Sequence, residues 1–404
     1  MSELLAALAT IHYGKSPTEV AGPDGEVPVV GTGGVYANAT RAMFPHGVVV
    51  ARKGSLGTPH LFRTPFWPSD TTYAVVPREH VDLGWLYYCL SNFDLSKLNE
   101  ATGVPSISRD WLAKVTFHNP GGEQQKRIAA ILTSLDTAIE KTEALIEKHQ
   151  QIKAGLMHDL FTRGVLPNGQ LRPRREQAPE LYRETALGWI PVDWHFVRLG
   201  ELAKIVTGFT LGAKESPADT IEAPYLRVAN VQDGYLDLAE IKTVRISSKT
   251  LEQLRLRTGD VLMNEGGDFD KLGRGTVWAG EVENCVHQNH VFRVRTDGSR
   301  LLPHYLALYS ESAFGKKYFL LSSKQSTNLA SINSTQLNAY PIAVPDLLEQ
   351  QRIVQRLGGA NARIGALKAG LSKQRSQKLG LMQDLLTGKV SVTVEAGIAE
   401  PTDA

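Results

Sequence analysis

The amino-acid sequence repeats itself at a constant offset of 225 residues, and no other feature restricts the fold as strongly. Five pairs of identical or similar segments keep this offset, namely residues 106–108 and 331–333, Leu112 and Leu337, Pro120 and Pro345, residues 125–128 and 350–353, and residues 155–162 and 380–387. Because the register holds over about sixty positions without a gap, chance is a poor explanation. We predict two copies of one unit, each consisting of a globular part followed by a long helix.

An apolar series with alternating steps of four and three residues runs through the second half of each copy. This a and d spacing, kept over about four to five heptads, is typical of a coiled coil. The predicted seam residues are Ile128, Leu132, Leu135, Ile139, Ile146, Leu156 and Leu160 in the first copy and Ile353, Leu357, Ile364, Leu367, Leu371, Leu381 and Leu385 in the second. Polar residues on the same seam, among them His149, Lys153 and Lys378, are expected to fix its register.

Proline and glycine mark the limits of both helices. Each predicted helix follows a proline, Pro120 or Pro345, and stops at a glycine, Gly164 or Gly388. No proline interrupts either segment. A helix of about 38 residues is about 57 Å long at 1.5 Å per residue, so the pair is expected to form a stiff rod.

Composition and charge exclude several classes of protein. The chain has 404 residues, 42% hydrophobic and 21% charged, which is typical of folded domains and not of a disordered chain. Its two cysteines, Cys89 and Cys285, cannot form a disulfide framework, and no apolar run is long enough to span a membrane. No signal peptide is recognisable, so we expect a cytoplasmic protein. The net charge of +2, from 44 basic and 42 acidic residues, does not by itself indicate a nucleic-acid partner.

Motifs for nucleotide binding are incomplete. Residues 14–16 (Gly-Lys-Ser) match the end of a phosphate-binding loop, but the first glycine that this loop requires is replaced by Ala9. A dinucleotide-binding loop at residues 31–34 needs a third glycine at a position that holds Tyr36. We therefore expect no catalytic residue and no metal site on this chain.

Basic side chains are scattered over both globular parts, and twelve of them are candidate DNA contacts. In the loops at residues 52–55 and 270–275, basic residues adjoin glycines, as they do in turns that bind phosphate. For any single basic residue, a solvated surface charge is the alternative explanation. The candidates are Arg41, Arg52, Lys53, Arg63 and Lys97 in the first copy and Lys214, Arg227, Lys271, Arg274, Lys316, Lys317 and Lys324 in the second.

Several motifs resemble those of one protein family, the specificity (S) subunits of Type I restriction–modification systems. The resemblance covers nearly the whole chain, although the first copy lacks the Gly-Trp-Ile-Pro sequence with which the second copy begins. The matching motifs are residues 187–194 (Leu-Gly-Trp-Ile-Pro-Val-Asp-Trp), 197–202, 266–268, 271–275, 331–333, 349–353 and 380–388.

The resemblance implies an α+β fold. This fold has two mixed α/β target recognition domains in tandem repeat, separated by two long antiparallel helices that form a coiled coil. The limits predicted for this sequence are residues 1–119 for the first recognition domain, 120–163 for the first spacer helix, 164–185 for an exposed linker, 186–345 for the second recognition domain, 346–389 for the second spacer helix and 390–404 for a flexible tail.

The resemblance also implies a function. Each recognition domain would recognise one half of a bipartite site in double-stranded DNA, and the helices would set the spacer and dock two modification (methyltransferase) subunits. Those subunits carry S-adenosylmethionine chemistry, and restriction subunits add translocation and cleavage that depend on ATP and magnesium. The chain itself is expected to be non-catalytic, to hold no cofactor, to have no membrane partner and to act in a prokaryotic cytoplasm.

Two other classes of function stay open on the residues alone. The first is a coiled-coil assembly scaffold with two ligand-binding modules and no role in DNA binding. The second is a single-chain restriction enzyme with an unrecognised active site. Binding of duplex DNA distinguishes a specificity subunit from the scaffold, and magnesium-dependent cleavage by the chain alone would indicate the enzyme.

Overall fold

The computed structural model describes residues 1–186, 188–212, 219–267, 272–273, 275–325 and 330–392. The chain divides into two compact units. The first contains Met1–Ile146 and the chain from Ala366 onward, and the second contains Glu147–Gly365. Within the described ranges, no helix combines the length and the apolar character needed to cross a membrane.

Two long helices dominate the secondary structure. The first long helix is Gly122–Arg163, with 42 residues, and the second long helix is Leu347–Leu386, with 40 residues. The first is flanked by Gly121 and Gly164, whose φ angles of +96° and +66° are unfavourable for residues with a β-carbon. Both helices therefore begin and end close to the glycines and prolines that the sequence pattern used as limits.

The described part of the first unit contains three sheets. The four-stranded sheet is antiparallel, and in the three-stranded sheet the central strand pairs antiparallel with one neighbour and parallel with the other. In spatial order the strands are Ala9–Tyr13, Thr72–Pro77, Gly47–Ala51 and His60–Phe62 in the first sheet, Gly34–Ala39, Val27–Gly31 and Trp67–Pro68 in the second, and the pair Ser2–Leu4 and Thr116–His118.

Among its described residues, the second unit repeats these three sheets with the same strand order and directions, and two small sheets are added. The repeated strands are Ala203–Thr207, Val291–Thr296, Val261–Asn264 and Gly275–Val277, then Lys242–Ser247, Thr220–Leu226 and Val286–His287, and the pair His195–Arg198 and Pro341–Val344. The additions are the hairpin Tyr182–Thr185 with Gly188–Pro191 and the sheet Gly266–Gly267, Ala330–Ser331 and Lys324–Gln325. The duplication found in the sequence thus extends to the sheets of the globular parts.

Short helices complete both units. In the first unit they are Leu5–Leu8, Leu83–Asn92 and Arg109–Ala113, with a 3-10 turn at Leu95–Leu98. In the second unit they are Ser248–Leu254, Pro303–Glu311, Ala313–Ser322 and Ser334–Asn338, with 3-10 turns at Pro179–Leu181 and Leu199–Glu201.

The repeated Ser-Ile-Ser and Ser-Ile-Asn segments begin equivalent short helices. Ile107 and Ile332 are buried in the cores of their units. The next residue in each case caps a helix: the side chain of Ser108 accepts a hydrogen bond from the Trp111 amide, and Asn333 forms a capping box with Gln336. We call each of these segments a marker, because it places a buried isoleucine directly before the N-cap of a short helix.

A buried glutamine at the start of each long helix makes the same contact in both units. Gln125 and Gln350 are fully buried, and each side-chain oxygen accepts a backbone N–H at 2.8 Å, from Asp82 and from Leu302 respectively. Asp82 and Leu302 are the N-cap residues of the helices Leu83–Asn92 and Pro303–Glu311. The glutamines therefore attach each long helix to the globular part that precedes it.

Each unit places the start of one long helix beside the end of the other. In the first unit Leu132, near the start of the first long helix, shares a hydrophobic cluster with Leu385, near the end of the second. In the second unit Leu160 and Ile353 share a cluster in the same way. The helices are therefore antiparallel within each unit, as predicted. All the predicted seam residues are buried or half-buried; their assignment to a coiled coil stays a prediction.

The polar seam residues pair with charges. Lys378 lies 2.5 Å from Asp136 on the first long helix, and its ammonium group lies 5.7 Å from the centre of the Tyr88 ring. In the second unit Lys153, the residue 225 positions earlier, lies 2.6 Å from Glu311. Because both lysines are partly buried, these contacts compensate the cost of placing charge on an otherwise apolar seam.

The prediction of an exposed linker at 164–185 is wrong at five positions, which are buried: Gly164, Val165, Arg172, Ala178 and Tyr182. Val165 and Arg172 are only 1% and 5% exposed. The two terminal nitrogens of the Arg172 guanidinium donate to the carboxylate of Glu349, at 2.5 and 3.0 Å, and Nη2 also donates to Asp193 at 2.6 Å. Composition alone predicts a solvated loop here. It could not show that Arg172 is paired, because the partner lies 177 positions further along the chain.

Candidate nucleic-acid interface

One edge of the first unit brings together the ends of two strands that lie on either side of the central strand Thr72–Pro77. Tyr13 ends the strand Ala9–Tyr13 and lies opposite Tyr73 on the central strand. Ala51 ends the strand Gly47–Ala51 and lies opposite Thr72 on the same central strand. Arg52, the residue after Ala51, therefore lies at the same end of the sheet as Tyr13.

The Ser-Ile-Ser marker adds a second arginine to this edge. The amide of Ile107 donates to the carbonyl of Arg52 at 2.9 Å, and the Tyr73 hydroxyl donates to the Ile107 carbonyl at 3.0 Å. Arg109, the first residue of the helix capped by Ser108, is thereby held beside Arg52.

Both arginines pack on one exposed aromatic ring. The guanidinium carbons of Arg52 and Arg109 lie 5.1 and 5.4 Å from the centre of the Tyr13 ring. Tyr13 is 46% exposed and meets the buried Tyr73 edge-on at 5.2 Å. Burial raises the pKa of Tyr73, as does Tyr13, against a smaller opposite effect of Arg52. We call Tyr13, Arg52 and Arg109 the Tyr13 cluster; these are the cation–π contacts expected of partly exposed groups.

Further basic residues flank the Tyr13 cluster. The Trp67 indole donates to the Lys15 carbonyl at 2.9 Å, and the guanidinium carbon of Arg41 lies 5.9 Å from the Trp67 ring. Lys15 follows Tyr13 by two residues, and Lys53 follows Arg52; both are exposed. The structure thus gathers three predicted DNA contacts, Arg41, Arg52 and Lys53, near one edge.

Gly14 has a packing role at this edge. A β-carbon on Gly14 would lie 2.0 Å from the Ser69 carbonyl oxygen, so only glycine allows this approach of two backbones. Gly208 is its counterpart in the second unit, with a β-carbon position 1.9 Å from the His287 oxygen. The Gly-Lys-Ser sequence at residues 14–16 therefore reflects packing and not a nucleotide-binding loop.

The other two candidates of the first unit are also exposed. Arg63 follows the strand His60–Phe62, whose last residue pairs with Gly47. Because Gly47 begins the strand that Arg52 follows, Arg63 lies at the opposite end of the sheet from Arg52. Lys97 lies on the 3-10 turn Leu95–Leu98. The structure does not bring Arg63 into the Tyr13 cluster.

The equivalent edge of the second unit carries different side chains. The Ile332 amide donates to the Glu265 carbonyl at 2.8 Å, as Ile107 does to Arg52. Thr207 lies opposite Phe292 where Tyr13 lies opposite Tyr73, and Ser334 is the residue 225 positions after Arg109. The Glu265 carboxylate lies 2.7 Å from Nδ1 of His290. An acidic residue thus replaces an arginine on the same backbone framework.

The model of one protein family matches both halves of the chain. This family is described as the Type I restriction modification DNA specificity domain, and its model matches residues 7–149 and again residues 191–373. The chain belongs to this family. The two matches fall on the two copies that the internal repeat predicted.

Specificity subunits from several organisms are similar in sequence. The type I restriction enzyme MjaVIII specificity subunit of Methanocaldococcus jannaschii is 24% identical over 315 residues, covering 76% of this chain and 70% of the relative. The StySPI specificity subunit of Salmonella potsdam is 23% identical over 355 residues, covering 85% and 73%. Another M. jannaschii relative, MjaX, is 27% identical over 209 residues, and this match spans 49% of its length.

Solved structures share the fold. The S subunit of the Type I restriction–modification system from M. genitalium has a TM-score of 0.59 at 15% identity, covering 96% of both chains. A chain from a structural study of complex assembly and conformational transition in the type I R-M system has a TM-score of 0.53 at 16% identity, covering 96% of this chain and 98% of that one. The predicted α+β fold with two mixed domains is confirmed.

The residues that follow the Gly-Trp-Ile-Pro sequence of the second copy anchor the start of the second long helix. Trp194 is buried and its indole donates to Glu349 at 3.2 Å, while Asp193 accepts from Arg172. Trp189, in contrast, is 38% exposed, and the Arg175 guanidinium lies 4.7 Å from its ring. These residues fix the fold more than they form a binding surface.

The candidate DNA contacts of the second unit are dispersed. Arg227 is half-buried and paired with Glu240 at 3.4 Å, which indicates a structural role. Lys316 and Lys317 are exposed on the helix Ala313–Ser322, where Lys317 lines a groove of about 630 Å³ with Trp189. Lys324 lies in the strand Lys324–Gln325. The remaining three candidates, Lys214, Lys271 and Arg274, lie outside the described residues.

Groups suited to metal binding are not assembled in the part of the chain that the structure describes, and its two thiols are not activated. No cluster of three or more His, Cys, Asp or Glu side chains there is placed to hold a metal ion. Cys89 and Cys285 are buried free thiols, and burial raises the pKa of both, that of Cys285 to about 12. A thiol in such surroundings is not an activated nucleophile.

The sequence reasoning missed two members of the Tyr13 cluster. Tyr13 and Arg109 were not among the candidates, although Arg109 directly follows the Ser-Ile-Ser marker. The available signal was the N-cap residue Ser108. A serine that starts a helix beside the end of a strand also places the next side chain, here that of Arg109, at that end.

Proposed function

We propose that this chain is the non-catalytic specificity subunit of a Type I restriction–modification complex and that each recognition domain recognises one half of a bipartite duplex DNA site. The observation that carries the proposal is the double family match on two units with the same sheets and different edges. A shared framework with varied edge residues is what recognition of two unlike half-sites requires. Two linked half-site contacts also make the second binding event intramolecular, which raises affinity.

The long helices would set the spacing of the half-sites and dock two modification subunits. Apolar side chains lie exposed off the seam, among them Leu145 and Ile152 on the first long helix and Leu379 on the second, at 44%, 51% and 57% exposure. Exposed apolar residues on otherwise polar helices are typical of surfaces that a partner covers. The modification subunits would bring S-adenosylmethionine, and restriction subunits would bring ATP and magnesium.

The test is a map of methylated adenines in the source cell with and without this gene. The expected result is one bipartite motif that disappears completely when the gene is deleted and returns with the full-length chain. A methylation map that is unchanged by the deletion would contradict the proposal. Purified complex that fails to bind duplex DNA would instead favour the assembly scaffold.

A further inference from the structure

We propose that the Tyr13 cluster grips the DNA backbone: Arg52 and Arg109, supported on the Tyr13 ring, bind phosphate groups beside the first half-site. This inference rests on the proposed function and adds residues and a mode of contact to it. It also states that the second domain lacks this grip at the equivalent three positions.

The geometry suits an anion that approaches from solvent. Two guanidinium groups lie over one ring that is 46% exposed, at 5.1 and 5.4 Å from its centre. Stacking on a ring occupies one face of a guanidinium and leaves its N–H edge free, and this planar fork of donors matches phosphate oxygens. The ring therefore orients both arginines before DNA arrives.

The protein supplies little negative charge of its own here. Arg52 donates to the main-chain carbonyl of Asp70 at 3.0 Å, which does not neutralise it. Arg109 lies 4.0 Å from Asp110, and the two side chains are 49% and 82% exposed. A pair this long and this exposed is weak and is screened by salt. Two like charges on one ring are thus available for an external anion.

Backbone connections hold the cluster in place. The main chain of Arg52 is fixed by the Ile107 amide, and the Ser108 cap fixes the start of the helix that carries Arg109. Lys15, Lys53 and Arg41 add positive potential on the same edge. Contacts made by such a surface position the duplex and carry no sequence information directly.

The second domain has no cation at the equivalent positions. Thr207, Glu265 and Ser334 replace Tyr13, Arg52 and Arg109, and the Glu265 carboxylate pairs with His290. A carboxylate repels phosphate, so the two domains differ in how this edge meets DNA.

The experiment uses the full chain assembled with its modification subunits and a duplex that contains the mapped target. Binding is measured by fluorescence anisotropy from low to high salt for the wild type and for R52Q/R109Q. Each lost phosphate contact removes about 0.9 from the slope of log affinity against log salt, so we expect a reduction of about 2. At low salt we expect a loss of about tenfold for each arginine, equal for target and non-target duplexes, with the methylated motif unchanged.

Two variants control for charge and for folding. Arg78→Gln removes the same charge at the other end of the central strand, where Arg78 donates to the Ala6 carbonyl, and should leave the slope unchanged. R52K/R109K keeps both charges and should keep the slope while losing some affinity, because lysine lacks the planar fork. Complex formation on a sizing column verifies that each variant is assembled.

Two results would overturn the inference. One is a slope in R52Q/R109Q equal to that of the wild type. The other is a relaxed preference at one base pair of the first half-site, which would make these arginines base contacts. Either result leaves the proposed function standing if the wild-type complex binds its bipartite target, whereas a wild-type complex that does not bind refutes the proposed function itself.

Discussion

The two units have the same strand order and directions, yet they differ at the strand ends where Arg52 and Glu265 occupy the same place. Residues that serve the framework are kept between copies: Gln125 and Gln350, Ile107 and Ile332, Gly14 and Gly208. Residues at the edge change from a cationic cluster to an acid–imidazole pair. The comparison teaches that the repeat fixes where side chains are presented, while the differences decide what they can bind.

The largest expected effect tests whether the units act separately. Residues 200–340 should be exchanged for the matching part of a relative with a known target. We expect complete replacement of one half of the methylated motif, since the exchanged segment holds the second edge, and no change in the other half. Genome-wide methylated-adenine mapping checks this. A change in both halves would refute independent recognition by the two units.

The next prediction concerns a buried ion pair that distinguishes the second unit. Arg172→Ala leaves the Glu349 carboxylate, itself 2% exposed, without its bidentate partner, which should lower the free energy of unfolding by about 3–5 kcal/mol. Burial opposes the charge on Arg172, but its carboxylate partners raise its pKa, so Arg172 keeps its charge at all ordinary pH values. Urea denaturation measures the loss.

The exposed ion pair Arg375–Glu143 of the first unit is the matched control. Its side chains are 62% and 43% exposed, so Arg375→Ala should cost less than about 1 kcal/mol. The double variant R172M/E349L should recover most of the stability, because removing both charges leaves neither one buried alone. Equal losses for Arg172→Ala and Arg375→Ala would contradict the assignment.

A third prediction is a pH dependence confined to the second unit. His287 is buried; desolvation, assisted by Arg293, lowers its pKa to about 4 from the ordinary 6.5, against the opposite effects of its hydrogen bond to Val291 and of Asp260. In the unfolded chain this imidazole takes up a proton below about pH 6.5, whereas in the folded chain it does so only near pH 4. Stability is therefore complete above pH 6.5 and falls by about 3 kcal/mol at most as the pH drops to 4.

In the first unit, the position equivalent to His287 is occupied by Pro68. The two positions are equivalent because each residue pairs with the central strand of its three-stranded sheet. Hydrogen exchange of peptides from Val291–Thr296 should thus accelerate between pH 6.5 and 4.5 relative to peptides from Thr72–Pro77, after correction for intrinsic rates. His287→Asn should abolish the difference, because asparagine does not titrate. A persistent difference in this variant would exclude His287 as its source.

The smallest expected effect concerns the buried glutamine that both units have at the start of a long helix. Gln125→Ala and Gln350→Ala should each destabilise their own unit by about 1–3 kcal/mol, because a buried backbone N–H loses its acceptor. Exchange protection of the helices Leu83–Asn92 and Pro303–Glu311 reports the two losses separately. Gln151→Ala, at an exposed position, should have little effect. A loss in only one unit would mean that the two contacts are not equivalent.

Local patterns predicted the framework well. The long helices were predicted over 120–163 and 346–389 and extend over Gly122–Arg163 and Leu347–Leu386, because heptad periodicity, proline and glycine act within a few residues. The domain limits themselves stay a prediction.

Contacts between distant positions could not be predicted. Arg109 reaches Tyr13 because strand pairing and the Ser108 cap place them together, and no periodicity encodes that register. Arg172 was placed in an exposed linker because its neighbours are proline, glycine and arginine, while its partner Glu349 lies far along the chain. The twelve basic candidates were chosen by residue type, so the sequence could not separate Arg227, which is paired with Glu240, from Arg52, which packs on the Tyr13 ring.

The core of the first unit includes Met382, Leu385 and Leu386, which the whole of the second unit separates from the stretch Met1–Ile146. During translation at about 5–20 residues per second, the nascent amino-terminal domain therefore waits on the order of ten seconds or more for this piece of its interior. The second unit, formed by the uninterrupted stretch Glu147–Gly365, has all its residues available earlier. The unit whose synthesis begins earlier is thus the later of the two to have its whole core available, and a product terminated before Met382 would carry an incomplete first unit.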